Sequence, residues 1–258
     1  MRHAGAIAAR EIRSLFSTPV AWVILSSYLV LSGYFFFVGL GYFMQQQQQV
    51  QAMQMYDLLA QLNLNTYVIG PALGSCSFIL LFVVPLITMR SFAEERARGT
   101  LELLLTSPLG IWEIVAGKLL AALALVTLLV VLTSVFPALL FVYGNPEWLQ
   151  TLAGLIGLFL YGSVLAALGL FFSSLTRSQS IAALVSILGG LLLYMLGFSG
   201  QLAPEGWARS GLQYLGIGTH FDVLLGGLVK SDDLAYFGLL AASFVLLTRA
   251  ALESLRWR

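Results

Sequence analysis

The sequence predicts an all-α polytopic membrane protein with six transmembrane helices. Three observations carry that prediction. The chain has 258 residues, of which 59% are hydrophobic and only 10% charged, against roughly 45–50% and about 25% in a soluble domain. Its apolar residues gather in uncharged runs long enough to cross the hydrocarbon core, which takes about 20 residues as a helix. These runs are continuous rather than alternating, so membrane strands are not expected.

The elements follow in chain order. Residues 1–19, "MRHAGAIAAREIRSLFSTP", read as an amphipathic interface helix with Arg10, Glu11 and Arg13 on its polar side. Val20–Met44 follows as 25 residues without a charge. A signal-peptide core is about 7–15 residues, so this run is read as a retained first span. Further spans are expected at 66–89, 119–143, 149–175, 180–199 and 234–248. The last is short, about 22 Å at 1.5 Å per residue. It needs help from flanking polar residues or a thinner bilayer.

The outer loops differ in kind. The glutamine-rich stretch 45–65 lacks Gly and Pro, which predicts a polar helical extension of the first span. "GNPEW" is a minimal turn. Residues 200–233 alternate short apolar clusters with glycines, which predicts helices at the outer interface between the fifth and sixth spans. With six spans both termini share one side. That side holds 11 of the 13 basic residues, leaving Arg209 and Lys230 outside. The bias predicts that both termini are cytoplasmic.

Several function classes are disfavoured. No Asp, Glu, Lys or Arg falls in the middle of a span, which argues against a proton-driven secondary transporter. A net charge of +1 gives no footprint for nucleic acid. One cysteine, Cys76, allows no internal disulfide, and two scattered histidines do not suggest a metal site. His220 reads as a solvated or interfacial loop residue, with no nucleophile motif beside it. Gly117-Lys118 fails as a phosphate loop, because six residues separate Gly110 from Gly117 and Leu119 follows the lysine. Pro71 and Pro85 read as local breaks in the second span. Gly70 with Gly74, Gly162 with Ala166, and Gly189-Gly190 read as close helix packing within one subunit.

One segment stands apart. Between the second and third spans, "RSFAEERARGTLELLLTSPLG" (90–110) carries six charges. It reads as two short helical pieces within 91–108. Ser91–Arg98 comes first, with Gly99 as its stop. Thr100 then caps a second piece with Glu102 in its first turn. Leu101, Leu104 and Leu105 form an apolar face, and Pro108 ends it. Such an element suits insertion into a groove on a cytoplasmic partner.

"EERARGTLELLLTSPLGIWEIVAGK", residues 94–118, resembles the cytoplasmic loop of ABC-2 type transporter permeases. "AAREIRSLFSTPVAW" (8–22) is similar to the amphipathic helix that leads into that family's first span. "THFDVLLGGLVKSDDLAYF" (219–237) is similar to the outer segment before its sixth, and the feel is that of the gliding-motility-associated branch. The resemblance implies a bacterial cytoplasmic (inner) membrane permease, an exporter, paired with a second copy of itself or a related permease and working with two copies of an ATP-binding subunit. ATP and Mg would sit in that subunit, which alone would hydrolyse ATP; no cofactor is expected on this chain. Residues 91–108 would carry the coupling helix. Glu94, Glu95, Arg96, Arg98, Gly99, Thr100, Leu101, Glu102, Leu104 and Leu105 would meet the ATP-binding subunit. Arg10, Glu11 and Arg13 would brace it or the lipid headgroups. A membrane-anchored accessory protein is a further implied partner. Two other readings stay open: an ABC complex that moves force and no solute, and a non-ABC secondary transporter. The cargo is not legible.

Overall fold

The computed structural model describes residues 2–54, 63–102, 110–202 and 206–256. Among these residues there are helices and no strands. The elements are α1 (Arg2–Phe16), α2 (Pro19–Ala52), α3 (Gly70–Thr88), α4 (Arg90–Ala97), α5 (Ile111–Tyr143), α6 (Trp148–Leu175), α7 (Gln179–Leu202), α8 (Trp207–Leu215), α9 (Ile217–Leu225) and α10 (Ser231–Arg256). A π-helical turn, Asn65–Ile69, leads into α3. Six stretches are long and apolar enough to cross a membrane: Pro19–Ala52, Asn65–Ala97, Ile111–Tyr143, Trp148–Leu175, Gln179–Gly200 and Ser231–Leu255.

The helices begin and end where local chemistry directs. Pro19 sits in the first turn of α2, where its missing N–H costs nothing. The glutamine run continues α2 as helix to Ala52. The sixth span is not limited to its 15 uncharged residues. α10 has 26 residues and begins with Asp232 and Asp233 in its first turn, acids that favour the positive end of a helix. Its length of about 39 Å removes any need for a thinned bilayer.

The bundle is built around α6. It packs against α3, α5, α7, α9 and α10, and its buried face alternates large and small residues, among them Leu158, Tyr161, Gly162, Leu165 and Ala166. A Cβ on Gly162 would stand 2.6 Å from Val126 Cγ1. Lipid tails are as apolar as leucine, so spans associate through such close approach and through hydrogen bonds. One such bond joins α2 to α5. The Thr133 hydroxyl donates to the Leu129 carbonyl at 2.9 Å, so Tyr28 is the donor in its 2.6 Å bond to Thr133 Oγ1.

The outer loop departs from expectation at His220. The residue is buried, not solvated. Its Nε2 faces the Tyr214 carbonyl at 2.9 Å and its Nδ1 meets Asp233 Oδ1 at 2.6 Å. The ring stacks on Tyr236 with centroids 3.9 Å apart. These contacts tie α8, α9 and the start of α10 into one cap.

Candidate functional site

Residues 90–102 of the charged segment are not a free loop. They form the meeting point of five helices at the end of the bundle that carries α1 and the last turns of α10. α3 contains Pro85 three residues before its end at Thr88. Proline removes one rung of the backbone ladder. A second interruption comes from outside the helix. Ser173 Oγ, on α6, accepts from the Phe92 and Ala93 amides at 3.0 Å each. It donates to the Met89 carbonyl at 2.9 Å. In an unbroken helix Met89 and Ala93 would bond directly, so an inserted hydroxyl marks the bend between α3 and α4. The next residue of α6 answers in kind. Arg96 Nη1 donates to the Ser174 carbonyl at 2.8 Å, placing a cation at the negative end of α6.

The centre of the site is Lys118, whose side chain is 1% exposed. An ammonium has three N–H donors, and all three are used. They go to Glu11 Oε1 on α1 at 2.8 Å, to Glu95 Oε1 on α4 at 2.8 Å, and to the Ser91 carbonyl at 2.5 Å. The Phe92 ring lies 5.0 Å from the ammonium, within cation–π reach. Arg10 stands 3.9 Å from Glu95, so two cations balance two acids. Gly117 makes the approach possible: a Cβ there would lie 2.7 Å from Ile7 Cβ and 2.9 Å from the Ala4 carbonyl. Beneath the charges, Phe92, Leu101, Ile114, Val115, Leu170 and Leu252 form a buried apolar cluster from α4, the segment after it, α5, α6 and α10. Arg249 closes the flank, bonded to Glu253 and 4.7 Å over the Trp112 ring.

The sequence-derived residues divide sharply against this frame. Glu11 and Glu95 are engaged inside the chain by Lys118, and Leu101 is buried in its own core. Glu94 pairs with Arg98 at 2.5 Å on the outer side of α4. Gly99 has φ +71°, the left-handed stop that favours glycine. Thr100 opens the second piece and its hydroxyl donates to the Glu95 carbonyl at 3.2 Å. Arg10, Arg13, Arg98, Gly99, Thr100 and Glu102 are exposed. Leu104, Leu105 and Pro108 lie outside the described residues. Lys118 and Ser173 were missed from sequence. The available sign was a lone lysine, eight positions into an apolar helix and beside a glycine.

The comparisons with known proteins agree with this architecture. Residues 5–252 match the family model described as ABC-2 family transporter protein. Over 129 residues the chain is 35% identical to a protein named "Probable multidrug ABC transporter permease YbhR" from Escherichia coli (strain K12), covering 47% of this chain and 32% of that protein. The protein of the same name from Escherichia coli O157:H7 matches over the same extent. The matched part is thus about a third of those relatives' length. With the family matched across nearly its whole length, the chain belongs to the ABC-2 transporter family.

Proposed function

We propose that the chain is the membrane-spanning permease subunit of a bacterial inner-membrane ABC exporter, with the Lys118 end in the cytoplasm. It works as a homodimer carrying two ATP-binding subunits, and ATP with Mg binds to those subunits. Three supports stand behind this reading. The family match covers residues 5–252, the basic residues are biased to one side, and the chain has no recognisable nucleotide motif of its own. A membrane-anchored accessory protein completes the proposed complex. The relative's name makes amphipathic small molecules the first cargo class to test.

The observation that carries the mechanism is the threefold bond of Lys118. The exposed patch of Arg98, Gly99, Thr100 and Glu102 receives the ATP-binding subunit. When ATP closes the two subunits, that patch is displaced. α4 cannot move alone, because Lys118 joins it to α1 and to the head of α5, and Ser173 joins it to α6. The displacement therefore enters α1 and the third and fourth spans together.

Reversing exposed charges tests docking without touching the Lys118 cluster. Arg98→Glu with Glu102→Lys is expected to insert and fold normally. Capture of the co-expressed ATP-binding subunit should fall at least tenfold, consistent with the weight of interfacial charge pairs. ATPase turnover and dye export from proteoliposomes are read in parallel. Unchanged capture and turnover would overturn the docking assignment. Turnover that responds to the variant while no cargo moves would favour the force-transmitting complex.

A further inference from the structure

The acids nearest the start of α4 are already engaged, and Arg90 is not among their partners. Glu11 and Glu95 hold Lys118, Glu94 holds Arg98, and Arg96 holds the α6 carboxyl end. Among the described residues the Arg90 side chain has no hydrogen bond or ion pair. Arg90 is half-buried, and it borders a narrow crevice of about 20 Å³ whose walls include Leu15, Thr18, Ala21, Leu25, Leu86 and Leu125. Leu25 is shared with an open recess of about 430 Å³ between α2 and α5, walled by Trp22, Leu29, Leu128 and Leu132. From Leu125 to Leu132 the two run about 10 Å along α5. That is most of the distance from the interface to the middle of a 30 Å hydrocarbon core, about 15 Å.

We propose that this groove binds an anionic phospholipid, with its phosphate on Arg90 and an acyl chain between α2 and α5. The charge selects the ligand. A guanidinium at the membrane edge with no partner among the described residues calls for an anion that presents two oxygens to its fork, as the non-bridging oxygens of a phosphodiester do. The walls select the tail, since most of the side chains lining the recess are apolar, with Ser26 and the edge of Trp22 as its polar groups. Trp22 stands at the mouth, its indole N–H bonded to the Phe16 carbonyl at 3.1 Å, where tryptophan favours the headgroup level. Arg13, two residues before Leu15, is a second exposed cation whose side chain has no partner among the described residues. The site goes beyond the transport reading and needs only that this end lie at a membrane surface.

The test uses the full chain purified without any ATP-binding subunit, so it does not depend on the proposed function. The protein is exchanged into equal mixtures of phosphatidylglycerol and phosphatidylcholine with identical tails. Retained lipid is counted by native mass spectrometry. About fivefold or greater preference for phosphatidylglycerol is expected, the weight of roughly one basic residue at an anionic surface. Arg90→Gln should bring the ratio near one. Arg98→Gln, which removes the same charge from a site already paired with Glu94, should leave it unchanged. Leu132→Trp should fill the recess and lower retention of both lipids at least threefold. Glycerol phosphate, the headgroup without tails, should not displace the lipid. The proposal is overturned by equal retention of both lipids in the parent chain. It is overturned as well by an equal loss of preference in Arg90→Gln and Arg98→Gln, or by displacement with glycerol phosphate.

Discussion

The two ends of the bundle solve one problem with different chemistry. At each end, helices distant in sequence must be fixed to one another where the apolar packing of the spans runs out. The α1 end uses a full charge. Lys118 draws α1, α4 and α5 together through two carboxylates and a carbonyl. The opposite end uses amide groups and one histidine–aspartate contact. Asn65, 1% exposed, donates to the Glu147 carbonyl and accepts from the Glu147 amide, both at 2.8 Å, clamping the start of the second span to the start of the fourth. His220 meets the Tyr214 carbonyl through Nε2, so that nitrogen must carry hydrogen. Its Nδ1 lies 2.6 Å from Asp233 Oδ1, a single pair where the hub gathers four charged groups. The lesson concerns what each end loses when one member is removed. A charged hub strands like charges on each other. A single pair strands one group with no like charge held beside it.

The hub is therefore where the largest effect is expected. Lys118→Met leaves Glu11 and Glu95 close together with no buried cation between them. Breaking a buried ion pair from one side costs about 3–5 kcal/mol. Thermal unfolding of the detergent-extracted chain should show that loss, and protection of the α1 and α4 amides from hydrogen exchange should fall with it. Glu95→Ala should be nearly as damaging, since it frees one donor of a lysine that is 1% exposed. The restoring variant is Lys118→Met with Glu11→Gln and Glu95→Gln, in which no charge is stranded. Failure of this triple variant to recover most of the stability would show that packing, not charge, holds the hub.

The outer pair should come second. Asp233→Ala leaves the His220 ring with its Tyr214 bond and its stacking on Tyr236, but without a partner at Nδ1. Leaving a buried donor or acceptor unpaired costs about 1–3 kcal/mol. The loss should appear in thermal unfolding and be confined to α8, α9 and the start of α10 in hydrogen exchange. A loss as large as that of Lys118→Met would erase the contrast between the ends.

Much of the fold was legible because its strongest signal is length. Five uncharged runs of 20 or more residues and a sixth of 15 mark where helices cross, and six stretches long and apolar enough to span are present. Gly99 was also legible, since a glycine after a charged turn is a local signal and its φ of +71° is local too. The hub was not. Glu95 and Glu11 are separated from Lys118 by 23 and 107 positions, and no periodicity connects them. In the sequence they look like solvated charges suited to a partner. Ser173 was equally silent, because a serine near a span end has many uses, and only the arrival of α4 reveals which one. His220 was misread for the same reason: burial of a loop histidine depends on an acid 13 positions later and on two aromatic rings.

The smallest effect is the most discriminating, because it separates two neighbouring glutamates that look alike in sequence. Glu94 and Glu95 are adjacent on α4 and point to different worlds. Glu95 faces Lys118, with its side chain 17% exposed. Glu94 faces outward to Arg98, which is 70% exposed. An exposed pair four residues apart on a helix contributes about 0.3–0.5 kcal/mol. Glu94→Ala should therefore leave the unfolding temperature almost unchanged, like Glu147→Ala in the outer turn, where only the backbone of Glu147 is engaged by Asn65. Yet Glu94→Ala should still weaken capture of the ATP-binding subunit, because it releases Arg98 from the position that Glu94 holds, whereas Glu147→Ala should not. If Glu94→Ala destabilises the chain as much as Glu95→Ala, α4 does not present one face to the hub and the other to a partner. If it changes neither stability nor capture, the outer face of α4 is merely solvated, and docking rests on the segment beyond Gly99.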